Sequence, residues 1–112
     1  MEYRLKTHLW VNAMVRLHDR AAIPIAILHR GDEDAGGLMI KQDRRGRGIC
    51  LWTQARDPQG RLTWIRPHDG ETLEEADCAA RIERALKRDP DLWVIEVEDR
   101  DDVRLFAQPG LF

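Results

Sequence analysis

"DGETLEEADCAARIERALKRDPDLWVIEVED", residues 69–99, decides the fold. Its first part reads as a helix. Cys78, Ala79, Ile82, Ala85 and Leu86 recur at the spacing of one helical face. Thr72 followed by Glu75 forms a capping box, and Glu74 and Glu75 lie where a helix dipole favours negative charge. Lys87 and Arg88 fall in the last turn, and Pro90 stops it. The second part reads as a strand with Trp93, Ile95 and Val97 on one face and Glu96 and Glu98 on the other. A strand reached through a helix is a crossover, so it should run parallel to one neighbour.

Four shorter strands are expected upstream, in "PIAILHR" (24–30), "GLMIKQD" (37–43), "ICLWTQAR" (49–56) and "RLTWIRP" (61–67). The connections are short, so the simplest arrangement is an antiparallel meander. "DPQG" (57–60) has the residues of a type I turn, and "RRGRG" (44–48) supplies glycines for a second hairpin. Before them, "HLWVNAMVRLHDR" (8–20) sets Leu9, Ala13 and Leu17 four apart, with Trp10 and Met14 beside them. That is a helical stripe, with Thr7 as its N-cap, an extended piece at Tyr3–Lys6 before it and Pro24 after it. The expected order is α-β-β-β-β-α-β. It makes an α+β fold with one mixed, mostly antiparallel sheet of about five strands and two helices packed on it.

The chain has 112 residues, which suits a single compact domain over 1–112. At 43% hydrophobic and 34% charged it is globular rather than disordered. No apolar run reaches the roughly 20 residues of a membrane span, and no signal-peptide core is seen, so a cytoplasmic protein is expected. Cys50 and Cys78 lack metal-like or paired spacing and read as free buried thiols. His8, His18, His29 and His68 are scattered and read as surface or partly buried. No metal or cofactor is expected. The net charge of −2 is uneven, with residues 1–68 carrying +5 and residues 69–112 carrying −7. The two halves are expected to neutralise one another across the fold.

"HRGDEDAGGLMI" (29–40) is the most chemically loaded loop, and Arg30, Asp32, Asp34 and Lys41 are its candidate functional residues. Asp32, Asp34 and Gly36 open like a calcium loop, but the remaining ligands are missing. A phosphate cradle would need a helix after the glycines, and a strand follows. The structural reading is a turn whose aspartates bond to their own backbone. "QDRRGRGI" (42–49) looks like an acetyltransferase coenzyme loop, yet it too leads into a strand. As a hairpin tip, its Arg44, Arg45 and Arg47 are candidate anion contacts.

The element order is similar to the core of restriction-endonuclease-like nucleases. Asp32, Asp34 and Lys41 would then serve a metal-dependent cleavage of phosphodiesters. Met39 stands where that pattern needs an acid. Glu96 and Glu98 are expected to be solvated or paired with strand arginines such as Arg30 or Arg56. Trp10, Trp52, Trp64 and Trp93 read as packing. Leu105, Phe106, Leu111 and Phe112 form a candidate association tail, with a homodimer contact slightly favoured over self-docking.

"RLKTHLWVNAMVR", "HRGDEDAGGLMIK", "LTWIRP" and "RDPDLWVIEVED" together resemble a small bacterial family catalogued only as a domain of unknown function. The resemblance covers nearly the whole chain. It implies one compact α/β-type domain and supplies no activity, substrate or catalytic residue. The expectation is an interaction or accessory protein with a protein partner or a second copy of itself. A metal-dependent phosphodiesterase and a weak nucleic-acid contact module are the alternatives.

Overall fold

The computed structural model describes residues 6–66 and 72–107. The expected element order is found. Helix α1 (Thr7–Arg20) precedes strands β1 (Ile25–His29), β2 (Leu38–Asp43), β3 (Ile49–Arg56) and β4 (Leu62–Ile65). Helix α2 (Glu75–Arg88) and strand β5 (Trp93–Glu98) follow. The Tyr3–Lys6 piece, His68, Leu111 and Phe112 lie outside the described residues, apart from Lys6.

The five strands form one sheet in the order β1-β5-β2-β3-β4. β5 runs parallel to β2 and antiparallel to β1, so the fold is a mixed α+β sheet. Only β2, β3 and β4 make the expected meander. β1 is separated from β2 by the inserted β5. The cause lies in residues 30–37, which arch around the start of β5 instead of turning tightly. Asp32 N–H donates to the Asp91 carbonyl (2.9 Å), and Trp93 N–H donates to the Gly37 carbonyl (2.9 Å). Trp93 Nε1 donates to the Asp32 carbonyl (2.7 Å). Gly31 is required there, because a Cβ would stand 2.0 Å from the Asp91 carbonyl oxygen.

The alternation of each central strand supplies two cores. Trp93, Ile95, Val97, Leu38, Ile40, Cys50 and Trp52 face α1 and the C-terminal turn at Leu105–Ala107. Met39, Ile49, Leu51 and Val94 face α2. The buried stripe of α1 is Trp10, Val11, Met14 and His18, while Leu9 is exposed. The real stripe is therefore rotated from the Leu9–Ala13–Leu17 line, because the two large side chains Trp10 and Met14 take the sheet. His18 is buried, not superficial, and its Nδ1 is 2.7 Å from the Met14 carbonyl oxygen. Both cysteines are free and buried.

Neither expected side-chain cap forms. Lys6 is the N-cap of α1, and Thr7 instead donates its hydroxyl to the Gly36 carbonyl (2.8 Å). The arch supplies the cap through its backbone. Thr7 and His8 N–H groups donate to the Asp34 and Glu33 carbonyls. α2 begins at Glu75 with Glu74 as N-cap and no side-chain cap bond. Thr72 is not free to cap it, because Leu73 next door bridges to Ile49 at the start of β3. The helix can begin only after that bridge.

Candidate functional site

Two loops leave the carboxyl ends of the parallel neighbours β2 and β5, and together they form the most elaborate polar region of the described chain. That end of parallel strands is where open α/β sheets commonly bind ligands. Residues 44–48 follow Asp43, and residues 99–104 follow Glu98. Asp99 N–H donates to the Asp43 carbonyl (2.8 Å), which ties the two loops at their roots. Arg45, Asp102 and Arg104 are left-handed, with φ of 58°, 54° and 56°. Non-glycine residues so placed persist where surrounding contacts over-determine them, and they cluster at functional sites.

Buried Gln42 organises the second loop. Its Nε2 donates to Asp99 Oδ2 (2.9 Å) and Asp102 Oδ1 (2.7 Å), while its Oε1 accepts from Trp52 Nε1 (2.9 Å). The Asp99 carboxylate also accepts the Val103 and Arg104 N–H groups, both at 2.9 Å. Arg104 pairs with Asp102 through two bonds and lies over the Trp52 ring at 5.0 Å. The Arg104 guanidinium, aided by Gln42, holds the Asp102 carboxyl below its usual range despite burial. Arg66 lies over the same indole at 5.2 Å, with its Nη1 3.5 Å from Cys50 Sγ.

On the α2 side lies a polar cleft of about 660 Å³, lined by Asp43, Arg45, Glu74, Glu75 and Arg100 among others. Beside it, Lys41 is buried between Glu75 Oε1 (2.5 Å) and Glu96 Oε2 (2.9 Å). Burial works to lower the Lys41 pKa, but the bonds from the two carboxylates outweigh it and raise the pKa above the ordinary value. Burial pushes the neighbouring Cys78 thiol up to about 11, against the pull of Lys41 and with the help of the nearby acids. That thiol is not a nucleophile at neutral pH. Glu98 pairs with Arg45 at 3.0 Å. The partners of Glu96 and Glu98 are thus Lys41 and Arg45, not Arg30 or Arg56, because β2 is the parallel neighbour, carrying Lys41 itself and leading directly into the turn that holds Arg45.

The three arginines of the 44–48 turn have different fates. Arg45 is neutralised by Glu98 and by Asp43 at 3.9 Å. Arg44 donates Nη2 to the Arg47 carbonyl (3.1 Å), and its Nε is buried with no partner among the described residues. Arg47 donates Nη2 to the Arg100 carbonyl. Arg44, Arg47 and Arg100 therefore form no ion pair among the described residues, although Arg44 is near enough to Asp102 to help hold its carboxyl down, and Arg44 and Arg47 are fixed by bonds to backbone oxygen. Sequence reasoning named Arg44, Arg45 and Arg47 but missed Arg100, Gln42 and Arg104. Those residues reach the site only through the β2–β5 pairing.

The acidic loop is spent on the arch. Asp32 Oδ2 accepts the Asp34 and Ala35 N–H groups at 3.2 and 2.8 Å. Asp34 has an exposed contact with Lys6 at 3.8 Å, and Arg30 lies over the Trp93 ring at 5.0 Å. The partners of Lys41 are Glu75 and Glu96, so the arch and Lys41 do not share their contacts. Met39 is buried against α2. Phe106 is buried against Trp52 and Trp64, with ring centroids 6.0 and 5.6 Å away, and Leu105 beside it is half-buried. No group of three or more His, Cys, Asp or Glu suited to a metal occurs among the described residues.

A family model described as a protein of unknown function (DUF1491) matches residues 5–107. The chain belongs to the DUF1491 family. Two structures of DUF1491 family proteins from Caulobacter crescentus CB15 are similar to it. The crystal structure has a TM-score of 0.79 at 35% identity and covers 88% of this chain and 91% of that one. The solution structure has a TM-score of 0.77 at 36% identity, with coverage of 89% and 90%. A solution structure from A. tumefaciens has a TM-score of 0.72 at 27% identity and covers 86% of each chain. No curated protein matches. The DUF1491 description assigns no activity. Among the described residues of this DUF1491 chain, no helix is long and apolar enough to cross a membrane.

Proposed function

We propose that this chain is a non-enzymatic interaction domain. Its working surface is the rim formed by residues 44–48 and 99–104, and its partner is an acidic segment of another protein. One observation carries the reading. The Arg44 guanidinium is held on the Arg47 carbonyl and the Arg47 guanidinium on the Arg100 carbonyl, while neither forms an ion pair with a described carboxylate. A positioned guanidinium without a counter-charge is suited to bind carboxylates by charge-assisted hydrogen bonds. The overall charge of −2 disfavours a long polyanion and leaves a short acidic stretch as the better fit. The partner is placed here rather than on the C-terminal segment, because Phe106 is already used inside its own protomer. The domain is read as cytoplasmic and bacterial, with no cofactor.

Fluorescence anisotropy with a labelled Glu/Asp-rich peptide tests the proposal. Binding should weaken with salt and fall at least about tenfold in the triple variant Arg44→Ala, Arg47→Ala, Arg100→Ala. Tighter binding of a single-stranded oligonucleotide of equal length, lost in the same variant, would make the rim a nucleic-acid contact instead. Sedimentation at high micromolar concentration covers the homodimer. A dimer that survives the triple substitution would place the contact elsewhere.

A further inference from the structure

We infer that Gln42 is a positioning residue for the rim. It is buried away from any ligand, and it sets the shape of the loop that carries Arg100 and anchors Arg47. The inference rests on the reading of the rim as a binding surface and adds to it the internal part that makes the surface rigid.

Gln42 lies on β2 with its side chain turned to the α1 face, while the arginine turn begins two residues later. Its amide uses both ends. The oxygen is held by the Trp52 indole N–H, which fixes which end of the amide is the donor. The nitrogen is thereby aimed at two carboxylates, Asp99 and Asp102, which lie three residues apart on one loop. A neutral amide bridging two carboxylates does what neither an acid nor an apolar residue can do. It donates to both and adds no charge that Arg104 would have to oppose.

The consequence for the loop is geometric. Asp99 is held from outside by Gln42 and in turn holds the Val103 and Arg104 N–H groups. Asp102 is held by Gln42 and Arg104 together. Those five contacts bracket the two left-handed residues Asp102 and Arg104, which an unanchored chain would abandon. Arg100 lies inside the bracket. Its carbonyl receives the Arg47 guanidinium, so the loop also sets where Arg47 stands. Removing the Gln42 amide therefore reaches two rim arginines without touching either.

The test uses Gln42→Met, close in length, without a donor and with only a weak thioether acceptor. The first readout is amide hydrogen exchange at Val103 and Arg104, whose N–H groups bond to Asp99. Their exchange should quicken while the amides of β2, β3 and β5 stay protected. The second readout is affinity for the Glu/Asp-rich peptide, which should fall about tenfold. Unchanged exchange at Val103 and Arg104 overturns the inference. So does faster exchange with unchanged peptide affinity, because the loop would then be tethered by Gln42 without its shape mattering. Failure of the wild-type chain to bind the peptide overturns the reading of the rim itself, and the exchange arm still decides whether Gln42 sets the loop. Should Gln42→Met fail to fold, Asp99→Asn weakens the same bracket with smaller change in the core, and the same two readouts apply.

Discussion

Lys41 and Glu96 face each other across two parallel strands, with Nζ 2.9 Å from Oε2, and the N-terminal turn of α2 closes the other side of the lysine through Glu75. Parallel pairing puts these residues at the same level of the sheet, so the contact is dictated by register. The lysine side chain is 8% exposed, whereas Glu96 is 32% and Glu75 is 68% exposed. The buried member of the group is therefore the cation, and its two partners keep access to water.

Lys41→Met should consequently cost less than the 3–5 kcal/mol typical of breaking a fully buried pair, about 1–3 kcal/mol, because the released carboxylates can hydrate. Urea unfolding near neutral pH measures it. The pH dependence has a definite sign. The folded pKa of Lys41 is raised, so its contribution is complete below the ordinary value of 10.5 and is lost as pH climbs through the folded value. Wild type and Lys41→Met should converge in stability only in strong alkali. A gap that shrinks between about pH 7 and pH 9 would contradict the clamp.

Much of this architecture is legible in the residues. The period of Trp93, Ile95 and Val97 and the run from Cys78 to Leu86 do not fit any other local structure, and the crossover between them forces a parallel neighbour. Which neighbour it is could not be read. Residues 30–37 have the composition of a turn, and a turn would join β1 to β2 directly. The signal that they arch over β5 is steric. Gly31 and Gly36 are needed because the Asp91 backbone passes beneath them, and that backbone is far away in sequence. The same insertion hides the site. Gln42 looks like an ordinary polar strand residue until β5 delivers Asp99 and Asp102 beside it. The expected N-cap and capping box failed for a related reason, since long-range partners, Gly36 for Thr7 and Lys41 for Glu75, outcompeted the local ones.

The arch makes a sharp prediction about two glycines. Gly31→Ala should destabilise the protein by at least about 2 kcal/mol, since a Cβ there meets backbone that cannot step aside. Gly46→Ala, on the arginine turn, should be within about 0.5 kcal/mol of wild type, because nothing lies within 4 Å of its Cβ. Thermal unfolding of both variants is the check. Equal costs would mean that the arch can slide on β5.

The acid limb of stability should be governed by Asp102. Its carboxyl is held below the ordinary value, first by the Arg104 bond and then by Gln42, with burial opposing both. A depressed folded pKa supports the fold above the unfolded pKa, and the support disappears as pH drops through the folded one. Asp102→Asn keeps the shape, and asparagine tolerates the left-handed backbone at φ 54°. It forfeits the charge opposite Arg104. The variant should therefore lose about 1–2 kcal/mol near neutral pH. It should also lose less than wild type does on acidification below about pH 4, where carboxylates ordinarily protonate. Unfolding midpoints in urea from neutral pH down to strong acid give both curves. If the two run parallel through that range, Asp102 is not an ionised partner of Arg104, and the loop 99–104 must be held by the hydrogen bonds of Gln42 and Asp99 alone.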